Sequence, residues 1–155
     1  MSYNAKVYKV FIASPSDVAK ERDVVRTVLA RWNAINSESK GVVLLPVGWD
    51  THAAPESEKS AQDYINYEIL DKCDILIGIF WSRIGSPTKK SNSGTIEEIY
   101  RHIDSGKLAM MYFSSKSLPH DVDTKQLNKV REFKKKYESL YSVYSDENDL
   151  HKQTI

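Results

Sequence analysis

Apolar residues in this chain fall into short unbroken runs, separated by longer stretches in which they recur at helical spacing. Val7 to Ala13 (VYKVFIA) is β-branched and aromatic and stops at Ser14-Pro15, the pattern of a buried strand. Val42 to Val47 (VVLLPV) predicts a second strand and Asp74 to Phe80 (DILIGIF) a third. The third is the most hydrophobic, so it is expected at the sheet centre, where both faces are covered. Leu108 to Phe113 (LAMMYF) predicts a fourth strand and Leu140 to Tyr144 a short fifth.

Between these runs the period changes to that of a helix. Ser14 can cap a first helix, with Pro15 at its first position and Asp17 at its third as a capping-box variant. Val18, Val25, Leu29 and Trp32 carry the spacing to about Asn36, and Lys20, Glu21, Arg22 and Arg26 are assigned to the solvated side. Ser60 and Asp63 open a second helix through Ile65, Ile69 and Leu70 that ends near Lys72. A third starts near Ser93-Gly94-Thr95, runs through Ile96, Ile99, Tyr100 and Ile103, and stops at Gly106. Lys125 to Ser139 predicts a fourth, with Leu127, Val130, Phe133 and Tyr137 on one face. Strands alternating with helices call for right-handed crossovers and a parallel sheet. The economical arrangement is a doubly wound α/β fold, a five-stranded parallel sheet of flavodoxin-like order 2-1-3-4-5. Residues 1–145 form that domain, and Asp146 to Ile155 is expected to start a further helix or a linker to a C-terminal region.

Composition narrows the class without naming a partner. The 155 residues, 41% of them apolar, suffice for one core, and a net charge of +1 with interspersed signs gives no basic stripe for nucleic acid. Cys73 is the single cysteine and reads as a small buried hydrophobe; it can neither form an internal disulfide nor complete a zinc site. His52, His102, His120 and His151 lack ligand spacing, so no metal is expected. No run has signal-peptide or membrane-span character, which predicts a cytoplasmic protein that makes no membrane contact.

In a sheet of this order, ligands sit outside the carboxyl ends of the first and third strands. The loops that converge there are Ser14 to Asp17, Trp49 to Lys59, and Trp81 to Thr95. Ser14, Ser16 and Asp17 offer hydroxyls and backbone N–H groups at a helix start, suited either to a phosphate or ribose hydroxyl or simply to capping. Trp49 and Trp81 each follow a strand, where a ring can stack on a base or pack as a lid. Asp50 is a candidate acid or hydroxyl binder and Arg83 a candidate phosphate binder. In Ser93-Gly94-Thr95-Ile96-Glu97-Glu98, Thr95 and Glu98 can form a capping box. The apolar face centres on Ile96, Ile99 and Ile103, so either Glu97 or Glu98 is also free to face the crevice.

At these residues the chain resembles a known family. Val10-Phe11-Ile12-Ala13-Ser14-Pro15-Ser16-Asp17-Val18 with Glu21-Arg22, Cys73 to Trp81 with Arg83, Gly85 and Pro87-Thr88, and Ser93-Gly94-Thr95 with Glu97-Glu98 resemble bacterial TIR-like domains, N-terminal modules of defence and signalling proteins. That group is similar to nucleoside 2-deoxyribosyltransferases, whose glycine-threonine-two residues-glutamate motif falls on Gly94-Thr95-Ile96-Glu97-Glu98 and makes Glu98 the catalytic carboxylate. The chain departs from NAD-cleaving TIR enzymes in lacking the serine-and-tryptophan-cysteine pattern that leads into their glutamate. The resemblance implies a nucleotide N-glycosidase with NAD as substrate rather than bound cofactor, and self-association in antiviral defence. It leaves open a non-catalytic nucleotide-sensing or assembly module, and a deoxyribosyltransferase or nucleosidase in which Asp50 supplies the second acid.

Overall fold

The computed structural model describes residues 1–48, 70–84, 94–137 and 141–154, with Gly94, Thr95, Glu97 and Glu98 described in their backbone alone. Strand β1 (Lys6–Ala13) is followed by a 3-10 turn (Ser16–Val18), helix α1 (Ala19–Lys40) and strand β2 (Val42–Val47). A 3-10 turn at Leu70–Lys72 precedes β3 (Ile75–Phe80), α2 (Gly94–Asp104) and β4 (Leu108–Ser114). Helix α3 (Thr124–Lys136), strand β5 (Tyr141–Tyr144) and helix α4 (Glu147–Gln153) complete the order. The strands form one parallel sheet in the order β2-β1-β3-β4-β5, the flavodoxin-like arrangement predicted from the sequence.

The two faces of the sheet carry separate cores, as side-chain alternation along a strand requires. Phe11, Ala13, Leu76, Phe80, Met111 and Phe113 point to one face and meet Ile99 of α2 with Val130 and Phe133 of α3. Phe80, Phe113 and Phe133 lie with ring centroids 5.5 to 6.2 Å apart, within the range of favourable aromatic pairs. Val10, Ile12, Ile77, Ile79 and Tyr112 point to the other face, against Val18, Val25 and Leu29 at the start of the chain and Leu150 of α4. Gly78 belongs to the first face, where a Cβ would lie 2.5 Å from the Met111 sulfur and 3.1 Å from the Phe80 ring. A side chain at this position would have to displace the Met111 thioether from the core.

Local polar groups fix the register and the edges. Asp74 accepts from the Lys9 amide at 2.9 Å and donates its own N–H to the Lys9 carbonyl at 2.9 Å, tying the start of β3 to β1. On the open side of β2, the Asn33 amide takes the place of a strand neighbour: it donates to the Leu44 carbonyl at 2.7 Å and accepts from the Leu44 N–H at 2.8 Å. Two residues on, Pro46 faces the same open side and has no N–H to satisfy. At the opposite edge, Gln153 of α4 donates to the Val143 carbonyl of β5 at 3.0 Å.

Element ends depart from the sequence reading where tertiary contacts outrank local signals. Ser14 does not cap the first helix, and Pro15 is not its first residue. Pro15 has ψ of 172°, an extended conformation, and no side chain caps the following turn. Helix α1 continues past Asn36 to Lys40, where Gly41 adopts a left-handed φ of 64° and donates to the Ser37 carbonyl. Helix α3 begins one residue earlier than predicted because Asp123 accepts from the amides of Lys125 and Gln126. The predicted Ser60 to Lys72 helix lies outside the described residues except for the turn at Leu70–Lys72. The tail segment is a short helix within the second core, capped by Asp146 at its start and closed by the Thr154 hydroxyl bonding to the Leu150 carbonyl at 2.7 Å.

His102 of α2 is buried; its Nε2 bonds to the Leu108 carbonyl at 2.7 Å and its Nδ1 has no partner. Burial is the main cause holding its pKa below the ordinary 6.5, with Lys107 adding to the effect. The native state therefore binds fewer protons than the unfolded chain, so this group's stability is complete above about 6.5 and is lost as pH falls toward the native pKa. Urea midpoints should drop between pH 7.5 and 5 more steeply for the wild type than for His102→Gln, and parallel slopes would refute the assignment. Asn33→Ala should lower unfolding free energy by about 1–2 kcal/mol, read from the urea midpoint, because two hydrogen bonds to a strand edge are lost.

Candidate functional site

The carboxyl ends of β1, β3, β4 and β5 meet the start of α1 in a polar cluster beside the second core, to which Val18 and Tyr144 belong. Asp17 lies in the 3-10 turn and Glu21 in the first turn of α1. Asp17 turns its carboxylate away from the helix start: Oδ2 accepts from the Ser82 N–H at 3.0 Å and from the Ser82 hydroxyl at 2.8 Å. Ser82 is buried at the end of β3, so this contact joins the first turn after β1 to the central strand. The other oxygen, Oδ1, is buried and has no partner among the described residues, and the same holds for Ser14 Oγ.

Glu21 corrects the sequence reading, which put it on the solvated side: it is 2% exposed. Its Oε2 accepts from the Tyr144 hydroxyl at 2.8 Å and from Lys116 Nζ at 3.1 Å. Position 21 continues the stripe of Val18, Val25 and Val28, so helical spacing already marked it as inward-facing. A buried carboxylate is stable in such a place only when paired and hydrogen-bonded, and both conditions are met here. Burial, reinforced by the bond to Glu21 and its negative charge, drives the Tyr144 hydroxyl pKa upward, so the phenol keeps its proton and serves as donor.

Trp81 is bound into the same cluster. Its indole N–H donates to the Lys116 carbonyl at 3.3 Å, and Lys116 Nζ lies 4.9 Å from the ring centroid. The ring is half-buried and held from two directions, which makes it a rigid wall at the carboxyl edge. Past it, Arg83 is exposed, and the Ile84 N–H donates to Gln126 of α3 at 3.1 Å.

Of the residues singled out from sequence, the structure thus brings together Ser14, Asp17 and Trp81, leaves Ser16 and Arg83 at the surface, and adds Glu21, Ser82, Lys116 and Tyr144. Trp49, Asp50 and Ser93 lie outside the described residues. Helix α2 begins at Gly94, near the predicted start, so Thr95 lies inside its first turn rather than at the cap position that a capping box with Glu98 requires. Ile99 is fully buried with Ile96 and Ile103 packed against the first core. A helix that follows β3 and returns to β4 runs antiparallel to both strands, so its first turn, with Thr95, Glu97 and Glu98, starts at the carboxyl edge. Among the described residues there is no group of three metal-ligating side chains and no helix long and apolar enough to cross a membrane.

Fold and cluster together define a doubly wound flavodoxin-like α/β domain with a polar carboxyl edge. The chain belongs to the family described as "Domain of unknown function (DUF4062)", whose model matches residues 9–155. No curated protein matches it. Among solved structures it is similar to translation elongation factor SelB from Methanococcus maripaludis at 12% identity and a TM-score of 0.47, covering 92% of this chain and 31% of that one. It is also similar to oxidised flavodoxin 1 from Bacillus cereus at 14% identity and a TM-score of 0.38, covering 96% of this chain and 91% of that one. This chain therefore spans about a third of the SelB chain's length.

Removing the Glu21 carboxylate leaves an ammonium and a phenol without their partner. Glu21→Ala is expected to cost about 3–5 kcal/mol in chemical denaturation. A double-mutant cycle with Tyr144→Phe should show coupling of about 1 kcal/mol or more, and strict additivity would mean the contact contributes nothing.

Proposed function

We propose that this chain is a TIR-like nucleotide N-glycosidase that cleaves NAD+ to nicotinamide and an ADP-ribose product, in bacterial antiphage defence or signalling. The observation that supports it is the pair of buried, unpartnered oxygens, Ser14 Oγ and Asp17 Oδ1, at the carboxyl edge where β1 and β3 lie side by side. Buried polar atoms normally find partners within the fold, so two that do not are groups available to a ligand. Their position is where open α/β sheets take ligands.

The chemistry requires little machinery. Cleaving an N-glycosidic bond builds positive charge at the anomeric carbon, which a carboxylate can stabilise or trap. In this reading Glu98, in the first turn of α2, is that carboxylate, and Glu97 is its neighbour and alternative. Nicotinamide departs from a cationic ring nitrogen and needs no proton. The reading assigns the sugar to the Ser14 to Asp17 segment with Ser16, the base to Trp49 and Trp81, nucleotide contacts to Ser93, Gly94 and Thr95, and the phosphates to Arg83. Self-association and a cytoplasmic location belong to the same proposal.

The same unpartnered pair also suits a second reading, a non-catalytic nucleotide-sensing module, because it binds without performing chemistry. Incubation with NAD+ at high protein concentration should release nicotinamide, and Glu98→Gln should slow release by about a hundredfold or more. Unaltered turnover in that variant removes Glu98 from the mechanism. Binding without turnover favours the sensing module, and base exchange on deoxynucleosides favours transfer with Asp50 as acid.

A further inference from the structure

We propose that Ser14 and Asp17 form a subsite for the hydroxyl groups of a ribose, and that this subsite rejects phosphate. The inference rests on the glycosidase reading for the identity of its ligand, a ribonucleotide, while the subsite itself is argued from the chain's own atoms.

The helix start after β1 looks at first suited to an anion, since backbone N–H groups and the helix dipole favour negative charge. Its side chains reverse that preference. Asp17 brings a carboxylate whose Oδ2 is engaged by Ser82 at 2.8 and 3.0 Å and whose Oδ1 is unpartnered. An ionised carboxylate only accepts hydrogen bonds, so Oδ1 calls for a donor, and a phosphate oxygen is not one. Glu21 adds a second negative charge one turn on, and Lys116, at 3.1 Å from it, offsets one of the two. Lys116 is thus matched to Glu21, and Asp17 has no cation within this trio.

Ser14 complements this requirement. It is 4% exposed and its hydroxyl has no partner, so it can both give and receive a hydrogen bond. One orphan that needs a donor beside one that can take either role matches two sugar hydroxyls. A buried unsatisfied polar group is destabilising, so both atoms are under tension that a bound sugar relieves. Asp17 is only partly buried and Ser16 between them is exposed, which places the pair just beneath the surface. Trp81, next in sequence to Ser82, is anchored by its indole N–H on the Lys116 carbonyl at 3.3 Å. The subsite also bears on the choice among substrates: a site that reads ribose hydroxyls favours ribonucleotides over 2′-deoxynucleosides, because the deoxy analogue leaves the carboxylate unpaired.

Calorimetric titration of the full chain with ADP-ribose, and with two analogues each lacking the 2′-hydroxyl of one ribose, tests this without turnover. One analogue should bind about tenfold to a hundredfold more weakly, the effect of losing a hydrogen bond to a charged group. Asp17→Asn and Ser14→Ala should weaken ADP-ribose and shrink that discrimination. Ser14→Ala should also unfold at the same or a higher temperature than wild type, since its hydroxyl makes no bond in the protein; it therefore carries the test if Asp17→Asn fails to fold. The subsite is overturned if wild type binds all three ligands equally, if neither variant alters the discrimination, or if inorganic phosphate displaces ADP-ribose from wild type but not from Ser14→Ala. Discrimination retained in a protein that releases no nicotinamide from NAD+ would sustain the subsite and refute the glycosidase reading alone.

Discussion

Burial of the Glu21 carboxylate is the constraint on which the carboxyl edge depends. A charge buried beside an apolar core is tolerable only if its partners arrive together, and these come from distant parts of the chain: Lys116 after β4 and Tyr144 at the end of β5. Helix α1, the central strands and the last strand are thereby held in one arrangement. Lys116 extends the constraint to Trp81, whose indole it receives through its carbonyl and covers with its ammonium.

Within that frame the two carboxylates play unequal parts. Glu21 is matched by a cation and a phenol, and its role is met inside the fold. Asp17 is matched on one oxygen only, and Ser14 not at all. Local rules would have assigned both residues to capping the helix, yet the chain enters through an extended Pro15 and a 3-10 turn that leave Ser14 Oγ and one oxygen of Asp17 without that task. A side chain withheld from its ordinary structural task is the physical basis for assigning it to a ligand.

The fold was legible because the strands read as short apolar runs, and the central one, β3, is buried almost throughout. Asp74 to Phe80 announces a central strand by itself, and the order 2-1-3-4-5 follows from alternation and crossover handedness. Helix ends were less legible: the polar stretch after Asn36 hides the further turn of α1, which closes only at Gly41. The site was legible in Ser14, Asp17 and Trp81, whose positions at strand ends show in the sequence. Glu21 was misread because its charge was weighed above its spacing. Ser82, Lys116 and Tyr144 carry no local signal, since each acquires its role from a residue 65 or more positions away.

The amides of Asn33 and Gln153 bear on how copies of this domain can meet. Each occupies a backbone group on an outer strand that a neighbouring molecule would need for β-augmentation, and Pro46 withholds another on the same side as Asn33. At those positions the sheet is a finished object rather than a template, and a strand from a second copy would have to displace Asn33 or Gln153 to pair there.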